Sequence, residues 1–118
     1  MEYSEYLPHI NVLDGKARVM NNLKLYASLL GKFKGRQMVD DLLAAVKAGD
    51  ETKAVQHAHA LRGTAANLGF TVVHDVTHKI EAMCKSHGDC SALCDELDDS
   101  MTALEEAINT FIDAQAAG

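Results

Sequence analysis

The stretch VQHAHALRGTAANLGF, residues 55–70, decides how this chain folds. A helix turns by about 100° per residue, so His57 and His59 fall on different faces and need separate explanations. With His59 as the zero of the helical wheel, Thr52, Val55, Gln56, Arg62, Gly63 and Ala66 lie within roughly 60° of it, a face of polar and small residues. Ala54, Leu61, Ala65 and Leu68 gather on the other side, and His57 joins them at about 160°. The segment reads as a helix with His57 at the margin of the core and His59 in solvent. Asp50 is placed to cap its start, Glu51 meets the positive end of the helix dipole, and Gly69 punctuates its final turn.

The helical spacing continues in both directions. Between Lys16 and Phe33, Val19, Leu23, Tyr26, Ala27, Leu30 and Phe33 recur at three and four, predicting one amphipathic helix that ends near Gly31 and Gly35. Met38, Leu42, Ala45 and Val46 form the next stripe, which KAGD stops with Gly49 suited to a left-handed terminal residue. Downstream, Thr71 can cap a helix carrying Val72, Val76, Ile80 and Met83, and KSHGDC breaks it. From Asp89 onward Leu93, Leu97, Met101, Leu104, Ile108 and Phe111 form a long stripe ahead of a weakly specified tail, AQAAG. Four substantial amphipathic helices joined by short turns bury their stripes most economically as an all-α, antiparallel four-helix bundle. The residues before Asp14 can add a short N-terminal helix across one end, and residues 1–118 are expected to form a single domain.

Composition narrows the partners. Hydrophobic residues at 47% and charged residues at 24% place the chain among soluble globular proteins, and one Pro with no Trp leaves few obstacles to long helices. No apolar run approaches the roughly 20 residues of a membrane span, and MEYSEYLPHI lacks both a basic start and an apolar export core. A cytoplasmic monomer is expected. Cys84, Cys90 and Cys94 make an odd count without a secretion signal and read as reduced thiols. A net charge of −6 argues against nucleic acid, whose phosphates are bound by basic surfaces.

His59 carries the chemistry. An exposed imidazole keeps a large neutral, nucleophilic fraction near neutral pH. Arg62, one turn on, is a fixed positive charge able to hydrogen-bond a phosphoryl group on that ring. Gly63, also one turn on, removes a side chain beside the nucleophile at a cost of about 1 kcal/mol of helix stability relative to Ala. Such a cost asks for a reason, and access by another surface supplies one.

AHALRGTAANLG resembles the signature of histidine-containing phosphotransfer (HPt) domains, His-x-Leu-Lys-Gly followed at a fixed distance by Gly, with His59, Leu61, Gly63 and Gly69 in place. Arg62 departs from the usual Lys, which keeps the charge but alters its shape and donors. FTVVHDVTHKIEAM is similar to the family's next helix, where an acidic or amide residue matches Glu81; LYASLLGKF and AAVKAGDETKAVQHAH are similar to its upstream helices. The resemblance implies a bundle whose exposed histidine accepts a phosphoryl group from a response-regulator receiver aspartate, or a hybrid sensor histidine kinase, and passes it to another receiver. It implies His59 as phosphoacceptor, Glu81 as the residue orienting the imidazole, Gln56, Arg62 and Gly63 as a phosphoryl-stabilising or docking face, and Lys85 on the docking rim. Mg²⁺ would come with the receiver. No P-loop or other nucleotide-binding motif is visible, so a phosphocarrier without ATP-dependent kinase activity of its own is expected.

Two other readings stay open. His74 and His78, four apart, could join His87 and the cysteines in a helical metal- or haem-binding bundle, yet the cysteine spacings of six and four form no Cys-x2-Cys pair, and no metal is expected. A docking-only module would bind receivers without taking up phosphate.

Overall fold

A computed structural model describes residues 3–117, and Gly118 of the expected tail lies outside them. After a short 3₁₀ turn at Ser4–Tyr6, the described residues form six α-helices: α1 (Val12–Ala17), α2 (Leu23–Lys32), α3 (Gly35–Lys47), α4 (Glu51–Leu68), α5 (Thr71–Lys85) and α6 (Ser91–Ala117). No strand is present among the described residues. Helices α3 to α6 close the bundle, each packing on the next and α6 returning to α3, while α2 packs on α6 and α1 on α4. The stripes supply the core: Val39, Leu42 and Ala45 from α3, Ala54, Ala58, Leu61 and Ala65 from α4, Val73, Val76 and Ile80 from α5, and Leu97, Met101, Leu104 and Phe111 from α6.

The α4–α5 hairpin positions the site. Asp50 caps α4, its side chain accepting from Lys53 N at 3.1 Å. Gly69 ends the helix at φ +82°, a left-handed conformation open to glycine at no steric cost, and the turn sends α5 back along α4. Its glycine is required twice over, because a Cβ there would stand 2.4 Å from the Asn11 carbonyl oxygen, where the chain entering α1 crosses the hairpin.

The helix predicted over residues 16–33 is divided. Met20 and Asn21 take positive φ, and separate caps start the two pieces: Asn11 accepts from Asp14 N at 3.1 Å, Asn22 from Leu25 N at 3.0 Å. Side chains that compete with the backbone for hydrogen bonds favour such starts over helix interiors. The break lets α1 and α2 fold over the α4 terminus, where the Tyr26 hydroxyl donates to the Leu68 carbonyl. Burial, with Asp14 nearby, pushes the Tyr26 phenol above its ordinary value. At the same end, Phe111 meets Tyr6 edge-on at 5.2 Å and Tyr26 at 5.9 Å between ring centroids.

Smaller differences follow from tertiary packing. Thr71 does not cap α5; it is the helix's first residue, and its hydroxyl donates back to Gly69 O at 3.5 Å. The buried stripe of α5 runs through Val73, Val76, Thr77, Ile80, Glu81 and Cys84, leaving Val72 half-buried and Met83 exposed. Cys84 and Cys90, both buried free thiols, face each other at 3.4 Å between sulfurs. Burial, then the contact with Cys90, pushes the Cys84 thiol up to about 12, so it behaves as a small apolar residue. Helix α6 continues through Ala117, most of the tail expected to be weakly specified.

Candidate functional site

In an antiparallel hairpin, residues equidistant from the turn come to the same level. His59 and Glu81 each lie eleven residues from Phe70, and Arg62 and His78 each lie eight. At 1.5 Å per residue the His59 level is about 16 Å from the turn, mid-way along α4 and past the middle of α5. Two polar layers thus stack one turn apart on the outer face of α4 and α5.

Glu81 is the base of this arrangement. It is only 3% exposed, an unusual place for a carboxylate without partners. Three donors cover it: Lys85 Nζ lies 3.3 Å and His59 Nδ1 3.5 Å from Oε2, and Arg62 Nε lies 3.1 Å from Oε1. The Arg62 approach is off the line of its N–H, so Oε1 is held electrostatically and has no well-formed hydrogen bond. Burial alone would push the Glu81 carboxyl up. The hydrogen bond from Lys85 and the charges of Arg62, Lys85 and His59 outweigh it and hold the group below its ordinary value. Glu81 is therefore an anion set under cations.

Above it the His59 side chain is 71% exposed. With Nδ1 turned toward Glu81 and Arg62, Nε2 is left for an incoming group. Gly63 opens the approach, since a Cβ built there would meet nothing within 4 Å, which rules out tight helix packing as the reason for this glycine. Gln56, exposed one turn before His59, does not enter the ion-pair cluster. His57 is half-buried and lines a groove shared with Asp41, Ala44 and Ala45 of α3, well round the helix from His59. The structure thus brings together His59, Arg62, Glu81 and Lys85.

One further residue belongs with them. His78 Nδ1 lies 2.9 Å from Arg62 Nη1, the shortest contact that arginine makes in the cluster. The sequence carries the signal in the hairpin register that pairs position 62 with 78, once Gly69 is taken as the turn. His74 and His78 lie one turn apart, but among the described residues no group of three or more His, Cys, Asp or Glu converges as a metal site would require.

The family model of the Hpt domain matches residues 34–107, the span of α3, α4, α5 and most of α6. The chain belongs to the Hpt domain family. No curated protein and no solved structure matches it. Membership implies histidine phosphotransfer within a phosphorelay, and the bundle that the model spans is the part that holds the polar cluster. Among the described residues no helix of this Hpt domain is long and apolar enough to cross a membrane.

Proposed function

We propose that this Hpt domain carries a phosphoryl group on Nε2 of His59, taken from the phospho-aspartate of one receiver domain, or from a hybrid sensor kinase's receiver, and handed to the aspartate of another. The observation that supports this reading is an exposed imidazole whose Nδ1 faces a buried carboxylate at 3.5 Å beside an open glycine. With the proton on Nδ1 and directed at Glu81, the Nε2 lone pair attacks phosphorus. The Nε2–P bond forms as the P–O bond of the acyl phosphate breaks, and the receiver aspartate leaves as a carboxylate. The ring becomes a phospho-imidazolium, whose positive charge Glu81 stabilises through the Nδ1–H without taking the proton. Arg62 neutralises the phosphoryl oxygens, and Lys85 and Gln56 frame the docking rim. Onward transfer is the same step reversed. The receiver supplies Mg²⁺ for its own aspartate; this chain supplies the nucleophile, its orientation and a positive rim, as a cytoplasmic monomer without nucleotide chemistry.

The test is radiolabel transfer from a phosphorylated receiver. Acid-labile label should appear on the wild-type chain, vanish in His59→Gln with helicity and receiver binding kept, and persist in His57→Gln, which instead loses some stability. Label on His57 would overturn the assignment, and binding without label would make this a docking-only module.

A further inference from the structure

We propose that Cys84 and Cys90 are a redox site: hydrogen peroxide entering the groove between α3 and α6 oxidises Cys90, and Cys84 closes a reversible disulfide with it. The site lies apart from His59 and does not depend on the phosphocarrier reading.

Two sulfurs meet across the α5–α6 turn. Cys84 stands in the last turn of α5 and Cys90 directly ahead of α6; both are buried free thiols, with their Sγ atoms 3.4 Å apart. A disulfide needs about 2.05 Å, so a closure of roughly 1.4 Å makes the bond. The turn between them is held from two sides. His87, at φ +60°, places Nδ1 2.8 and 2.9 Å from the two carboxylate oxygens of Glu51 at the start of α4, and Gly88 packs against the Met83 side chain. The fold thus keeps the sulfurs in contact without a covalent link, and little loop-closure entropy is left to lose when the bond forms.

Access separates the two thiols. A groove of about 650 Å³ between α3 and the start of α6 has Leu43, Val46, Cys90 and Cys94 in its wall, and Cys84 is not part of that wall. Burial first, and then the contact with Cys90, hold Cys84 in the thiol form, so oxidation starts at Cys90. Cys94, half-buried one turn along α6, shares the groove, but burial, followed by Cys90, Asp95 and Asp89, pushes its thiol up and makes it a poor nucleophile. Asp89, Asp95 and Asp98 rim the groove and suit a small, uncharged oxidant over an anionic one.

The chemistry balances in two steps. The Cys90 thiolate attacks a peroxide oxygen; the S–O bond forms as the O–O bond breaks, and the departing hydroxide takes up the proton that Cys90 lost, as water. Cys84 sulfur then attacks the sulfenic sulfur of Cys90. The S–S bond forms as the S–O bond breaks, and the Cys84 proton leaves with the hydroxyl as a second water. Two electrons pass from the sulfur pair to the peroxide, and a dithiol reductant returns them.

Trypsin digestion without reductant reads the pairing directly. Cleavage after Lys79 and Lys85 frees residues 80–85 with Cys84, while residues 86–118, with Cys90 and Cys94, contain no Lys or Arg. After peroxide, the folded chain should yield these two peptides joined, and dithiothreitol should part them. Cys94→Ser should give the same joined pair, and Cys84→Ala should stop at a sulfenic acid on Cys90, trapped by the cyclic diketone dimedone. In urea, where nothing holds the sulfurs together, the pairings should spread over all three cysteines. The oxidised chain should melt roughly 5 °C above the reduced one, because a closed short loop restrains the unfolded state. A bond confined to residues 86–118, dimedone on Cys94 in place of Cys90, the same mixture of pairings in folded and urea-treated chain, or an oxidised form that melts lower would each overturn the proposal.

Discussion

Two ion clusters lie on the surface of this bundle, and they are wired in opposite senses. Between α3 and α6, one cation is surrounded by acceptors: Arg36 donates to Glu105 at 2.9 Å, to Thr102 at 3.1 Å and to Asp98, with Asp40 3.8 Å away. Between α4 and α5, one carboxylate is surrounded by donors: Arg62, Lys85 and His59 all face Glu81. The first cluster uses up the charge at its centre and joins two helices. The second leaves positive charge over, beside an exposed imidazole and an open glycine, in a chain whose net charge is −6. Surplus charge of that sign suits an anion that comes and goes, such as a phosphoryl group, and a receiver's acidic site.

Exchanging the two arginines for alanine puts the contrast at risk most directly. Arg62→Ala should slow phosphotransfer on the order of 100-fold and shorten the phosphohistidine lifetime, since a charge-assisted contact to the phosphoryl oxygens disappears. Arg62→Lys should keep most of the activity, with the shape of the contact changed. Arg36→Ala should leave transfer rates intact and cost about 1 kcal/mol in denaturant melts, the scale of a partly exposed network. Equal transfer in wild type and Arg62→Ala would reduce Arg62 to a solvated surface residue and erase the distinction.

Glu81 offers a second, smaller test. Glu81→Gln keeps an acceptor but not the charge that stabilises the phospho-imidazolium, and transfer should fall roughly tenfold, as when a group fixing a histidine tautomer is altered. The pH dependence carries a sign. Because the folded carboxyl titrates below its ordinary value of 4.5, Glu81 stabilises the fold fully above that pH, and this contribution is lost as pH falls through the lower folded value. The gap in melting temperature between wild type and Glu81→Gln should therefore be constant near neutrality and close on acidification below about 4.5. A gap that widened in acid would mean that burial, not the surrounding cations, dominates at Glu81.

These residues differ in how readily the sequence shows them. The bundle helices are legible because their boundaries rest on local chemistry: Gly49 at φ +72°, the Asp50 cap and Gly69 at φ +82° sit where the one-dimensional pattern puts them. The division of residues 16–33 is hidden, since Val19 and Leu23 keep helical spacing across a break that Asn22 and the packing of α1 over Gly69 impose. Within the site, His59 and His57 separate by angle on one helix, which needs no tertiary knowledge. Glu81 came through family resemblance, and His78 read only as a weak metal ligand. Both become visible once α5 is folded back on α4 in a fixed register. The depth of Glu81 is a property of three-dimensional packing, and residue type argues against it.

The smallest effect is expected of Gly63→Ala, and it bears on why the donor-rich cluster stays open. In a helix interior, glycine costs roughly 1 kcal/mol relative to alanine. A Cβ at this position meets nothing within 4 Å, so Gly63→Ala should recover about that amount and raise the melting temperature by roughly 4 °C for a domain of this size. The bundle therefore gives no reason of its own to keep glycine. The reason must lie in what approaches: at about 40° from His59 and one turn along, a side chain at position 63 stands beside the imidazole on the path to Nε2. Transfer should then decline with side-chain size through Gly63→Ala, Ser and Gln, with alanine nearly active and glutamine crippled, while all three remain folded and retain phosphorylation by small phosphoramidate better than by a receiver. If the alanine variant melts lower than the wild type, the glycine is serving the helix after all. If glutamine transfers as fast as glycine, an arriving receiver does not pass over this face, and the open side of the cluster needs another explanation.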